Sequence, residues 1–177
     1  MFNICLDLDS NGETMKYYLA FAYQYHHHKK LFSSGQTNCS HSGYAWAFTR
    51  QAFNKIKYFY DKSVIGSGDY YFVLFLINRN PLSNDYTKEY IKDIDEYRKN
   101  LLNFRITYLP TLIRHFYHGS KKDKYYDTRH NILIQNKYDP NKHLKYNKEG
   151  LLQFYDECPD KLKKDLYPYF TMRKEDE

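Results

Sequence analysis

A chain of 177 residues with 42% apolar and 19% aromatic side chains holds ample material for one buried core. Its longest apolar run, residues 70–77, falls far below the roughly 20 residues of a membrane span, and "MFNICLDLDSNGE" lacks the basic start, apolar centre and small-residue cleavage site of a secretory leader. The net charge of +6 suits phosphate-bearing partners, but Lys and Arg alternate with acids along the chain and only "GSKKDK" is dense, so a nucleic-acid partner is not expected.

Three cysteines, Cys5, Cys39 and Cys158, are odd in number and widely spaced, with neither a disulfide framework nor paired zinc spacing. A reducing, cytoplasmic location is the expectation. The first 42 residues are polar and poorly periodic, with turn signals at "DSNGE" and "SSGQTN", and predict an irregular segment of loops around short strands or helices. From residue 43 to 177 the patterning is that of an α/β domain. "GYAWAF" reads as a short strand, Thr49 as the N-cap of a helix turning Ala52, Phe53 and Ile56 inward, and the apolar run after Asp69 as a second helix. Tyr90, Ile94, Tyr97 and Leu101 recur at helical spacing among charges, which predicts an amphipathic surface helix. "RITYLPTLIRH" is β-prone and interrupted by Pro110, so a strand should lead into the loop at Gly119. The tail predicts short helices separated by "YDPNKH" and "CPD".

One acid stands out in this order. Asp69 sits at the end of "GSGD", where it or Ser67 could cap the following helix, or where Gly66 and Gly68 could turn the backbone so that the carboxylate projects into a cleft. The run "GYAWAFTRQAF…GSGDYYFVLFLI", followed at a distance by "HFYHGSKKDKYYDTRHNIL…NKYDPNKHLKYNKEGLLQF", resembles the C-terminal half of glycosyltransferase-like proteins with the GT-A fold, over nearly the whole chain from about residue 7. The resemblance implies a partial GT-A-like α/β fold, with a short mixed sheet, flanking helices and little of the N-terminal nucleotide-binding half.

It also implies transfer of a sugar from a nucleotide-sugar donor to a hydroxyl acceptor, by a fragment or subunit that a donor-binding N-terminal subunit would complete. In that chemistry Asp69 is the base, His118 a ligand of Mn²⁺ or Mg²⁺, Lys121 or Lys122 a partner of the phosphates, and Trp46 with Gly68 part of the substrate wall. An inactive glycan- or partner-binding remnant is the alternative.

Bland readings stand beside each of these. His115 lies three residues from His118, on the opposite face if the segment is a strand. Lys121 and Lys122 fit a solvated run, and Trp46 fits a core. The triplet His26, His27 and His28 fits a polar loop better than a metal site. "LDLDS" looks like the Asp-x-Asp metal element of GT-A enzymes, yet only six residues precede Asp7, and the resemblance implies that this segment is a connecting stretch with the metal-binding acidic pair upstream of it.

Overall fold

A computed structural model describes residues 1–29, 32, 41–116 and 121–173. The described residues form a mixed α/β structure with two small sheets. In chain order the elements are β1 (Ile4–Leu8), β2 (Thr14–Leu19), α1 (Phe21–His27), α2 (Arg50–Ile56), α3 (Gly68–Leu76), α4 (Lys88–Arg98), β3 (Leu112–His115), α5 (His130–Gln135), α6 (Pro140–His143), β4 (Leu144–Tyr146), β5 (Leu152–Phe154) and α7 (Asp160–Thr171). Short 3₁₀ turns cover Lys99–Leu101 and Lys121–Lys124. The chain forms two compact, interleaved units: unit 1 is Met1–Phe59, Gly68–Arg79 and Arg98–Tyr117; unit 2 is Tyr60–Ser67, Asn80–Tyr97 and His118–Glu177.

Unit 1 is organised on β1, which pairs antiparallel with β2 and parallel with β3. The first segment, expected as loops around short strands or helices, supplies the central strand, its hairpin partner and α1. The hairpin closes at "DSNGE", where Asp9 Oδ1 accepts the backbone N–H groups of Asn11 (2.8 Å) and Glu13 (2.9 Å). Gly12 takes φ +83 in this turn, a conformation glycine reaches without a steric penalty. Strand alternation turns Cys5 and Asp7 to the buried side of β1. There Cys5 joins Phe2, Phe21, Ala22 and Val73 in the core.

Two local expectations fail in unit 1. Residues 43–48 form no strand: Trp46 Nε1 donates back to the Ser42 carbonyl at 3.0 Å, and Tyr44 sits at φ +73, so the segment folds on itself instead of extending. Thr49 does cap α2, its hydroxyl accepting the Ala52 N–H at 3.1 Å. That helix, however, buries only Ile56 fully, and Phe53 remains 39% exposed. The apolar run after Asp69 forms α3 as expected and buries residues 71 to 75 consecutively, so it is covered on most of its circumference. His26 and His27 close the last turn of α1 and His28 is its C-cap, in place of a loop. Imidazoles at that end, when protonated, complement the negative end of the helix.

In unit 2, α4 buries Tyr90, Ile94 and Tyr97 as the spacing predicts. Asp93 on the same helix accepts from the Tyr60 hydroxyl and from Lys62 Nζ, each at 2.7 Å. "YDPNKH" is not a separator: Asp139 accepts the Asn141 N–H at 3.0 Å as an N-cap and Pro140 opens α6, where its missing N–H costs nothing. The β4–β5 hairpin follows, and "CPD" leads into α7, which packs on α5 and buries Leu162, Leu166 and Tyr169. Among the described residues no helix is long and apolar enough to cross a membrane.

His130, the first residue of α5, is held at both nitrogens, Nδ1 by the Tyr86 hydroxyl at 2.6 Å and Nε2 by Ser67 Oγ at 3.2 Å. Burial, and then the charge of Arg129, push its pKa down to about 4. Because the unfolded chain keeps its His near 6.5, it binds more protons than the fold between those values, so this stability is complete above about pH 6.5 and is lost as pH falls towards 4. The unscreened shift corresponds to roughly 3 kcal/mol, and solvent screening at this half-buried ring reduces it to about 1–2 kcal/mol. Urea unfolding at pH 7 and pH 4.5 should show that loss, and His130→Asn should flatten it. Equal acid sensitivity in both proteins would contradict this account.

Candidate functional site

The carboxyl ends of parallel strands are where α/β sheets usually seat ligands. In unit 1 the register of β1 and β3 brings Asp7 opposite His115 at that end. His115 Nδ1–H donates to Asp7 Oδ1 at 2.6 Å, and the Tyr44 hydroxyl reaches the same oxygen at 3.3 Å. Asp7 is buried while His115 is partly open. The carboxylate therefore fixes the proton on Nδ1 and leaves Nε2 as the ring atom it does not engage. The Tyr44 phenol is pushed far up, first by burial and then by Cys5 and Asp7, so it stays protonated and acts as a donor. Burial likewise raises the Cys5 thiol, and Asp7 adds to it, so this cysteine is a packing group and not a nucleophile.

On its other side the Tyr44 ring stacks on His41, with centroids 4.2 Å apart, and Tyr18 meets His41 edge-on at 5.2 Å. His41 Nδ1 accepts the Gly43 N–H at 3.1 Å, which places the ring proton on Nε2. Tyr44 achieves these contacts at a φ that a bulky side chain rarely adopts, at a cost of about 1–2 kcal/mol. Such strain persists where surrounding contacts hold it, and it clusters at functional sites.

Asp69 closes the group. It lies exposed in the first turn of α3, and its Oδ2 accepts from Ser42 Oγ at 3.0 Å. A Cβ on Gly43 would stand 2.8 Å from that oxygen and 3.1 Å from His41 Cε1, so Gly43 is the residue that lets the carboxylate and the imidazole approach one backbone. Asp69, Ser42, Gly43, His41, Tyr44, His115 and Asp7 thus form one continuous crest. It holds two carboxylates of different character: a buried one that orients a histidine, and an exposed one held by the Ser42 hydroxyl.

No known protein family, no curated protein and no solved structure matches this chain. The crest must be read from its own chemistry.

Of the residues singled out from sequence, Asp69 lies on the crest and Gly68 opens the helix that carries it. Trp46 does not stand as an open wall: it packs against Phe21, Phe48 and Phe72 and braces Ser42 through its indole N–H. His118 lies outside the described residues, as does Cys39. Lys121 starts a 3₁₀ turn of unit 2, with its side chain outside the described set, and Lys122 is exposed. Asp7, His41, Ser42, Tyr44 and His115 were missed as a group. A histidine and two serines pressed against a glycine in "SHSGY" were the available signal.

Among the described residues no group of three or more His, Cys, Asp and Glu side chains is clustered for a metal. Asp7 Oδ1 is shared by His115 and Tyr44, and Asp9 Oδ1 by two backbone N–H groups, so "DLDS" supplies a strand end and a turn.

Proposed function

We propose that unit 1 is the acceptor side of a GT-A-like glycosyltransferase, in which the crest receives a hydroxyl acceptor. The observation that supports this reading is the convergence of Gly43, Tyr44, Asp69 and His115, which come from three sequence segments of the resemblance, on one crest. Glycosyl transfer asks the protein for a group that takes the hydroxyl proton as the new bond forms, and for a flat surface beside it on which a sugar face can rest. Asp69 answers the first requirement by its exposure and its single-sided hold by Ser42. The stacked rings of His41 and Tyr44 answer the second.

In this reading His115, oriented by Asp7 and packed on Tyr44, helps to shape the side of the crest that receives the acceptor. The described sheet of unit 1 has a single parallel pair, so the nucleotide of the donor would be seated by another segment or subunit. Mn²⁺ or Mg²⁺ would arrive with the donor diphosphate and not on Asp7 or Asp9. A non-catalytic glycan-binding protein is the second reading, favoured by the ring ladder from Tyr18 through His41 to Tyr44.

Incubation with uridine and guanosine diphosphate sugars, Mn²⁺ and a panel of oligosaccharide acceptors tests both. Asp69→Asn should change stability by less than about 1 kcal/mol, since an amide oxygen can still accept from Ser42, while transfer disappears. Transfer at the original rate by Asp69→Asn would sink the catalytic reading. Saturable glycan binding without transfer by either protein would select the second.

A further inference from the structure

We propose that Arg129, seated beneath Gly66 and Ser67 in unit 2, is the anchor of a phosphate-binding site. Arg129 is only 7% exposed, and all of its described partners are neutral. Nη2 donates to Ser67 Oγ at 2.5 Å, Nη1 to the Tyr169 hydroxyl at 3.3 Å, and the Tyr126 ring lies 4.7 Å from Cζ. Tyr169 in turn donates to the Ile65 carbonyl, so it is fixed as an acceptor for the guanidinium. Nε is buried and has no hydrogen-bond partner, and among the described residues no carboxylate pairs with this side chain. Buried cations in folded proteins are paired or hold a ligand, because an uncompensated charge out of water is costly.

Gly66 is exposed at φ +89, and a Cβ there would stand 3.2 Å from Nη1 and 3.8 Å from Nη2, so glycine is what lets the guanidinium pack directly against the backbone of this surface turn. The unpartnered Nε and the adjacent Nη2 form the side edge of the fork, the pair of donors that matches two oxygens of a phosphate. Ser67 Oγ lies at that edge and brings a hydroxyl. Beside it His130 is neutral, held so by burial and by the Arg129 charge, and adds no charge of its own to the site. The net charge of +6 favours approach of an anion over the whole chain. This site lies wholly within unit 2 and does not depend on the reading of the crest.

Isothermal titration of the full chain at low salt with inorganic phosphate, pyrophosphate and uridine diphosphate provides the test. Saturable one-to-one binding is expected, with NMR showing the His130 pKa rising on saturation as the bound charge offsets Arg129. Arg129→Gln should weaken binding at least about tenfold. Ser67→Asp guards against misfolding of that variant: Asp tolerates the left-handed φ +68 of residue 67, and its carboxylate would pair with Arg129 internally. That protein should melt at a higher temperature without phosphate and bind none. Equal binding of phosphate and uridine diphosphate would mark a site for the phosphate group alone, and tighter binding of the nucleotide a site that also holds its base; both support the proposal. Absence of saturable binding by all three anions, or undiminished binding by Ser67→Asp, would overturn it.

Discussion

Asp7→Asn should lower any transfer carried out by unit 1 by about 10²-fold, the order that misplacing a positioning group costs. The chemistry is that of a tautomer. The Asp7 carboxylate can only accept, so it holds the His115 proton on Nδ1 and leaves Nε2 as the atom it does not engage. An asparagine at the same place can present its NH₂ instead, which favours the opposite tautomer and a ring whose Nε2 carries the proton. Tyr44 adds to the effect, because its hydroxyl also donates to Asp7 Oδ1 and its strained backbone depends on such contacts. The loss of one charged hydrogen bond in a buried place should cost about 1–3 kcal/mol of stability besides. Two measurements separate catalysis from folding: the rate with the donor and acceptor panel, and the imidazole nitrogen shifts of His115, which report the tautomer without any substrate. Retention of both the rate and the Nδ1–H tautomer would show that the pair is only structural.

The distance between what sequence patterning reveals and what the crest requires is visible in Asp7. Its partner His115 lies 108 positions away, and the pairing follows from strand register, which no local pattern encodes. A short "DLDS" looks alike whether it binds metal, closes a turn or ends a strand, and here Asp9 does the second while Asp7 does the third. Asp69 was legible because two glycines and an apolar helix sit around it in sequence. Gly43 reads in sequence as the start of a strand, whereas in the fold it admits Asp69 and His41 to one backbone, a contact between separate segments.

The fold divides along the same line. Helix α4 was legible because Tyr90, Ile94 and Tyr97 repeat at its period with charges between. Strand β3 was announced by β-prone residues after Pro110. Strands β4 and β5 are three residues each, too short for alternation to register, and α6 hid behind a proline that in fact opens it. The first 42 residues looked irregular because β2 leaves four of its six positions exposed, so polar and apolar residues do not alternate there in the usual way.

Ile94→Ala should destabilise unit 2 by about 2–5 kcal/mol, a large share of the roughly 5–15 kcal/mol of a typical domain. Ile94 is fully buried on α4, a helical turn from Tyr90 and from Tyr97, whose rings meet Tyr138 at 5.1 Å and Tyr60 at 5.2 Å. Those tyrosines are further tied by hydroxyl bonds, Tyr60 to Asp93 and Tyr138 to the Lys62 carbonyl. Neighbours held in this way cannot move in to fill the space of the lost methyl groups. The cavity therefore persists, and the cost should lie towards the upper end of the range. Glu96→Ala on the same helix is the control: its ion pair with Lys92 is long, at 4.0 Å, and exposed, so no more than about 0.5 kcal/mol should be lost. Urea unfolding followed by far-UV circular dichroism measures both. Trp46, the single tryptophan and a unit 1 residue, reports separately whether unit 1 unfolds in the same transition. A loss below about 1 kcal/mol for Ile94→Ala would mean that this aromatic cage yields, and that the packing of α4 is looser than its burial implies.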